Sequence, residues 1–179
     1  YGQHALVATV HTEQSHQQTA WQHFLPEGTI AVLPLDDPHH SSIVWYHSAA
    51  ETQALQNCDP TEFNAKLNAV FDKLGKITLV DRRLGFPLNK QHIERYVKPR
   101  IAFIGDAAHT IHPLAGQGVN LGFRDARCLA QVITKALTDK KDFASLPILR
   151  KYERERKADN ALFLTAMDYL NTLFINLPE

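Results

Sequence analysis

Between Arg100 and Gly122 the chain reads RIAFIGDAAHTIHPLAGQGVNLG, a short span that holds four of its eight glycines and two of its ten histidines. Gly105, directly after the apolar run Ile101 to Ile104, lets the backbone come close to a ligand, and Asp106 beside it can accept hydrogen bonds from hydroxyls. Gly116-Gln117-Gly118 then opens a segment of helical apolar spacing, whose first amides have no acceptor within the helix and whose dipole favours negative charge. Two readings follow from these residue types alone: a cradle for a ligand with hydroxyls and an electron-rich edge, or a glycine-lined turn that packs a helix against a strand. Asp106, His109 and His112 recur at every third position and are all possible metal ligands, but no fourth ligand accompanies them and Pro113 interrupts a helical arrangement, so no metal is expected. Gly116, Gly118 and Gly122 are spaced G-x-G-x-x-x-G, and eleven residues separate Ile104 from Gly116, so the pyrophosphate loop of a dinucleotide fold is not in this segment. The chain contains neither a P-loop nor a G-x-S-x-G elbow.

The elements that must position this span fall into two groups. Ala5 to Val10, Thr29 to Leu35 and Ser42 to His47 read as strands, the last two separated by the turn residues Asp36-Asp37-Pro38, which predicts an antiparallel sheet. Asp59-Pro60-Thr61-Glu62 supplies an N-cap, a proline at the first helical position and an acid in the first turn; Phe63, Leu67, Val70, Phe71 and Leu74 follow at helical spacing, with Gly75 as the stop. A fourth strand is expected over Ile77 to Asp81, leading to Phe86-Pro87-Leu88. The second group starts at the strand of Ile101 and continues in two long helices, Val119 to Leu137 and Pro147 to Phe174. In the second of these the almost continuously charged run Arg150 to Lys157 reads as a solvated turn, while Leu162, Ala166, Tyr169, Leu170, Leu173 and Phe174 share a face. The fold class is therefore α/β in the α+β manner, with residues 1–97 forming an antiparallel sheet domain and residues 98–179 a strand, a loop and long helices.

The chain has 179 residues, 44% of them hydrophobic and 21% charged, with nineteen basic residues balancing nineteen acidic ones. That composition is ordinary for a globular protein and offers no basic footprint for nucleic acid. No apolar run approaches the roughly 18 residues of a membrane span, and the N-terminal residues do not have the pattern of a secretory leader. The first residue is Tyr1 and a strand follows almost at once, so the chain is expected to begin in mid-protein. Cys58 and Cys128 stand in no metal or redox spacing and read as two buried thiols in a reducing compartment; His39-His40 reads as an exposed turn.

The string GDAAHTIHPLAGQGVNLGFRD resembles the second flavin motif of the flavin-dependent aromatic hydroxylases of the para-hydroxybenzoate hydroxylase type, which pairs a Gly-Asp after a strand with a downstream proline and glycine loop. FLPEGTIAVLPL, SSIVWYHS, DRRLGFPL and YERERKADN are similar to the ubiquinone-biosynthesis branch of that family, and VWYHSAAETQALQN with RKADNALFLTAMD is similar to its members acting on 3-demethoxyubiquinol. The resemblance covers nearly the whole chain. It implies FAD as cofactor, with Gly105 and Asp106 at the ribitol, Pro113 beside the isoalloxazine, and Gly116, Gln117, Gly118, Val119 and Asn120 along its pyrimidine edge. Pro113, Gly116, Gln117 and Gly118 are thereby placed at the reacting ring. It also implies NAD(P)H as transient reductant, O2 as co-substrate, and a polyprenylated quinol or phenol as the ring hydroxylated. A sister enzyme acting at the polyprenylphenol step and a cofactor-free interaction module of the same fold are the alternatives. The work implied is cytoplasmic, peripheral to the inner membrane, in an enzyme assembly or a self-associated form. The sheet would form one wall of the substrate pocket, with Phe86-Pro87-Leu88 on the substrate side or simply a strand edge. Family members begin with a strand and a G-x-G-x-x-G loop that this chain lacks, which implies a C-terminal portion that cannot hold FAD tightly or hydroxylate alone.

Overall fold

The computed structural model describes residues 2–25, 28–110, 116 and 118–175. They form two compact units, residues 1–88 and 89–179, of mixed α/β composition. The first contains β1 (Gln3–Thr12), β2 (Trp21–Leu25), β3 (Gly28–Pro34), β4 (His40–Ser48), α1 (Ala49–Asn57), α2 (Pro60–Val70), β5 (Ile77–Leu79) and β6 (Leu84–Pro87). Its strands form one antiparallel sheet in the order β2-β3-β4-β1-β5, with β6 also paired to β1. β1 pairs with β4 from Gln3 to His11 on one edge, while β5 takes Val10 to Thr12 and β6 takes His4 to Val7 on the other. Period-two alternation sends Leu6, Ala8 and Val10 inward, where they join Ile30, Val32, Ile43 and Trp45 from the sheet and Leu55, Phe63 and Leu67 from the helices.

Polar side chains of α2 cover the edge at β5. Asn68 both accepts from the Ile77 amide (2.8 Å) and donates to its carbonyl (2.7 Å), and Asn64 accepts from the Leu79 amide (2.8 Å). Backbone groups that would otherwise template another strand are thus satisfied. Pro87 lies in β6, opposite His4, in a strand that among the described residues pairs only with β1, where a missing amide is tolerated.

Several details differ from the sequence reading. α1 was not expected, although Ser48 accepts from the Glu51 amide (3.2 Å) and Ser-x-x-Glu is a helix-start signature. Ser48→Ala should therefore lower stability by about 1 kcal/mol in urea unfolding, as for other caps; an unchanged midpoint would show that tertiary packing alone holds α1. α2 starts at Pro60 behind the Asp59 cap, as its sequence signals predict, but stops at Val70 rather than at Gly75. Phe71 and Leu74 are buried after the helix has ended, and Gly75 takes φ 67° in the following turn. His39 and His40 are half-buried: the His39 ring bonds the Thr12 carbonyl (2.9 Å) and stacks on His11 at 5.8 Å.

The second unit contains β7 (Gln91–His92), β8 (Val97–Lys98), β9 (Ile101–Ala102), a 3-10 turn (Gly105–Ala107), β10 (His109–Thr110), α3 (Gly118–Thr138) and α4 (Leu146–Ile175). β8 and β9 make a tight antiparallel hairpin through Pro99 and Arg100, the latter at φ 64°, and β7 pairs with β10. The strand expected over Ile101 to Ile104 is thus shorter: the ladder stops at Ala102 while the backbone stays extended to Ile104. α3 and α4 pack on each other and on Tyr96, Val97, Ala108 and Phe103. No helix among the described residues is long and apolar enough to cross a membrane.

Candidate functional site

Gly105 turns the chain out of its extended run at φ 57°, a conformation that glycine adopts without strain. A side chain there would also face α3: a Cβ on Gly105 would lie 3.7 Å from the Gly122 Cα, and one on Gly122 would lie 3.4 Å from the Gly105 Cα. The turn and the first part of α3 therefore approach backbone to backbone. The packing reading of these glycines holds, and the same close approach shapes a cavity of about 490 Å³ lined by Ile104, Gly105, Asp106, Gly118, Val119, Gly122, Phe123 and Ala126.

Of the residues expected at a flavin, Gly105, Asp106, Gly118 and Val119 line this cavity. Asp106 is exposed at its rim. Gly116 has φ 59° with open space where a Cβ would stand, and Asn120 lies exposed in the first turn of α3; neither lines the cavity. Pro113 and Gln117 lie outside the described residues, as does His112 of the metal alternative. His109 is buried, whereas Asp106 is exposed. Val119 and Phe123 present apolar surface at the cavity, 65% and 69% exposed. A carboxylate at the rim, helix-start amides and flat apolar walls suit a ligand that combines hydroxyls, a polar ring edge and an aromatic face.

The sequence reading missed what holds the turn in place. Asp125 of α3 is fully buried, and all four of its acceptor positions are used. Oδ2 accepts from the Gly105 amide (3.0 Å) and from His109 Nε2 (2.5 Å), while Oδ1 accepts from Arg156 Nε (2.8 Å) and Asn160 Nδ2 (3.2 Å). Arg156 also donates to Asp159 (2.8 Å) and to the Asn160 side-chain oxygen (2.7 Å). Burial alone raises the Asp125 pKa, yet the bonds from His109, Arg156, Gly105 and Asn160 outweigh it and bring the carboxyl down to about 2. The charged run Arg150 to Lys157 is thus not a simply solvated turn. Leu149, Tyr152, Arg156, Asn160 and Leu164 form the buried face of α4, and Tyr152 donates to the Phe103 carbonyl (2.7 Å). The available signal was an aspartate within the apolar stripe Leu121, Asp125, Cys128 of α3, and an arginine within that of α4.

Of the two cysteines, Cys58 is half-buried beside Arg83 Nη1 (3.2 Å). Burial pushes the Cys128 thiol up to about 11, so it stays protonated and packs as a small apolar group.

The sequence profile of the FAD binding domain family matches residues 4–165, and the chain belongs to that family. Among curated relatives it is 41% identical to the 3-demethoxyubiquinol 3-hydroxylase of Escherichia coli, over 98% of this chain and 45% of the relative. It is 38% identical to the human ubiquinone biosynthesis monooxygenase COQ6, over 97% and 44% of the two chains. The chain thus spans about half the length of the curated relatives it matches, or less. In three dimensions it superposes on the crystal structure of pqsL, a probable FAD-dependent monooxygenase from Pseudomonas aeruginosa, with a TM-score of 0.79 at 24% identity, over 98% of this chain and 50% of the other. This shared fold accords with the antiparallel sheet and C-terminal helices expected from the sequence.

Proposed function

We propose that the cavity beside Gly105 and Asp106 receives the isoalloxazine and ribityl part of FAD, and that the chain serves a monooxygenase which hydroxylates the ring of a polyprenylated quinol or phenol with NAD(P)H and O2. The observation that carries this reading is the joint position of Gly105, Asp106 and the Gly118 helix start around one cavity, in a chain of the FAD binding domain family. When bound, FAD supplies the redox and oxygen chemistry. Asp106 would accept from ribityl hydroxyls, the amides and dipole at the start of α3 would favour negative charge on the ring edge, and Ile104, Val119 and Phe123 would exclude water from its face. Pro113, Gly116, Gln117 and Asn120 complete the proposed set.

The substrate class rests on the two ubiquinone-biosynthesis relatives. The same reading divides the chain into a substrate-side sheet over residues 1–97 and a flavin-side part over 98–179, and places the protein peripherally at the cytoplasmic membrane surface. Leu162 and Tyr169 on α4, 73% and 70% exposed, offer apolar surface for self-association or for an assembly of pathway enzymes. Which ring position is hydroxylated is read from the quinol intermediate that accumulates when the gene is deleted: demethoxyubiquinol for the reading favoured here, a polyprenylphenol for the sister step.

Asp106→Asn should weaken FAD binding by about 10- to 100-fold, corresponding to the roughly 1.5 to 3 kcal/mol of a hydrogen bond to a charged group. Fluorescence titration with FAD measures it, and equal affinity of variant and parent would remove Asp106 from the site. NAD(P)H-dependent oxygen consumption with a short-tailed quinol, in a protein containing this chain together with a pyrophosphate-binding strand and loop, tests the reaction itself.

A further inference from the structure

On α4, Arg150, Glu153, Arg154, Lys157, Ala158 and Ala161 recur at spacings of three and four and lie on one face, away from the buried stripe of Tyr152, Arg156 and Asn160. Opposite them run Glu94, Arg95, Val97, Lys98 and Pro99, and the two sides enclose a cavity of about 620 Å³. Five cations line it against two glutamates, on a chain whose formal net charge is zero. Glu153 is already engaged, since its carboxylate accepts from the Tyr96 amide (2.7 Å), and Lys157 donates to the Glu94 carbonyl (2.5 Å). The side chains of Arg95, Lys98, Arg150 and Arg154 make no hydrogen bond or ion pair among the described residues. Cations that converge on a concavity in excess of the carboxylates there raise the local concentration of anions. Arginine forks match phosphate oxygens in particular. Val97, Pro99, Leu146, Ala158 and Ala161 add apolar lining beside the charges.

We infer that this groove is a binding site for a phosphate ester, held by Arg95, Lys98, Arg150 and Arg154, with the apolar part of the ligand against Leu146 and Ala161. The phosphate can come from an anionic lipid headgroup or from a soluble phosphate ester. None of the groove residues lines the proposed flavin cavity, so the two readings stand or fall separately.

The test uses the chain and its Arg95→Gln/Arg154→Gln variant, both substituted positions being exposed, with Arg127→Gln/Lys135→Gln as a control of equal charge. Sedimentation with vesicles of phosphatidylglycerol and phosphatidylcholine in equal parts, against phosphatidylcholine alone, probes the headgroup. Amide chemical shifts during titration with inorganic phosphate and glycerophosphate probe the soluble ester. For a headgroup, anionic-vesicle binding should fall about fivefold for each groove cation removed, hence about 25-fold in the variant, and be nearly unchanged in the control. For a soluble ester, the amides around Lys98 and Arg154 should shift in the parent, with at least a fivefold weaker response in the variant. Binding of neither probe, or equal binding by parent and groove variant, or an equal loss in the control, would overturn the proposal.

Discussion

Replacing Asp125 by asparagine should destabilise the second unit by about 3 kcal/mol, because the buried Arg156 would keep only the exposed carboxylate of Asp159 as a counter-charge. Asparagine has nearly the same shape, but its amide nitrogen would meet either the Gly105 and His109 donors or those of Arg156 and Asn160, all of which now point at carboxylate oxygens. Urea unfolding measures the effect, and a change below about 1 kcal/mol would show that the network contributes little. The pH dependence gives a second signature. The Asp125 pKa is held near 2 in the folded chain against an ordinary 3.8, so its contribution is fully present above the unfolded value and is lost as pH falls through the folded one. A shift of that size corresponds to about 2 kcal/mol, to be lost between roughly pH 5 and pH 1. Asp125→Asn should lack this part of the acid transition. Since the Gly105 amide is one of the four donors, the variant should also bind FAD less well under conditions where it remains folded.

Gly28→Ala should cost more than about 3 kcal/mol, beyond the usual range for an overpacked site. Gly28 begins β3 at φ 149°, and an added Cβ would lie 1.8 Å from the Tyr46 carbonyl oxygen and 2.9 Å from its carbon. The obstacle is backbone in the neighbouring strand, which cannot swing aside as a side chain would. Relief requires β3 to part from β4, and the sheet ladder reaches β2 through β3. Thermal unfolding followed by circular dichroism tests this. A variant within about 1 kcal/mol of the parent would mean that the start of β3 is arranged differently.

What could be read from the sequence follows from what local pattern encodes. β1, β3 and β4 alternate strictly enough to be seen, as do the apolar stripes of α3 and α4. β2 shows no clear period, because only Trp21 and Leu25 at its two ends are partly buried against the core while Gln22, His23 and Phe24 between them are exposed. β7, β8, β9 and β10 are two residues each and exist through pairing with distant or turn-linked partners, which no window of sequence displays. α2 was extended in error to Gly75 because Phe71 and Leu74 keep helical spacing while leaving the helix to fill the same core.

At the candidate site Gly105, Asp106 and Gly118, which line the cavity, were legible, since a turn that needs positive φ and a helix start carry local signals. Asp125, His109, Arg156 and Asn160 were not grouped, because their partnership spans 16 to 35 residues and depends on how α3 meets α4. Arg156 was further hidden by its charged neighbours. In a run that supplies both a buried face and a cationic groove, composition alone cannot separate the two.

The central claim, that the Gly105 turn and the start of α3 hold the ring end of a flavin, is tested most directly by recording amide chemical shifts of the chain during titration with FAD. Weak binding is expected, with the largest shifts at Gly105, Asp106, Gly116, Gly118, Val119 and Asn120 and little change in the β1–β4 sheet. Shifts absent from those amides at saturating FAD, or concentrated elsewhere in the chain, would contradict it.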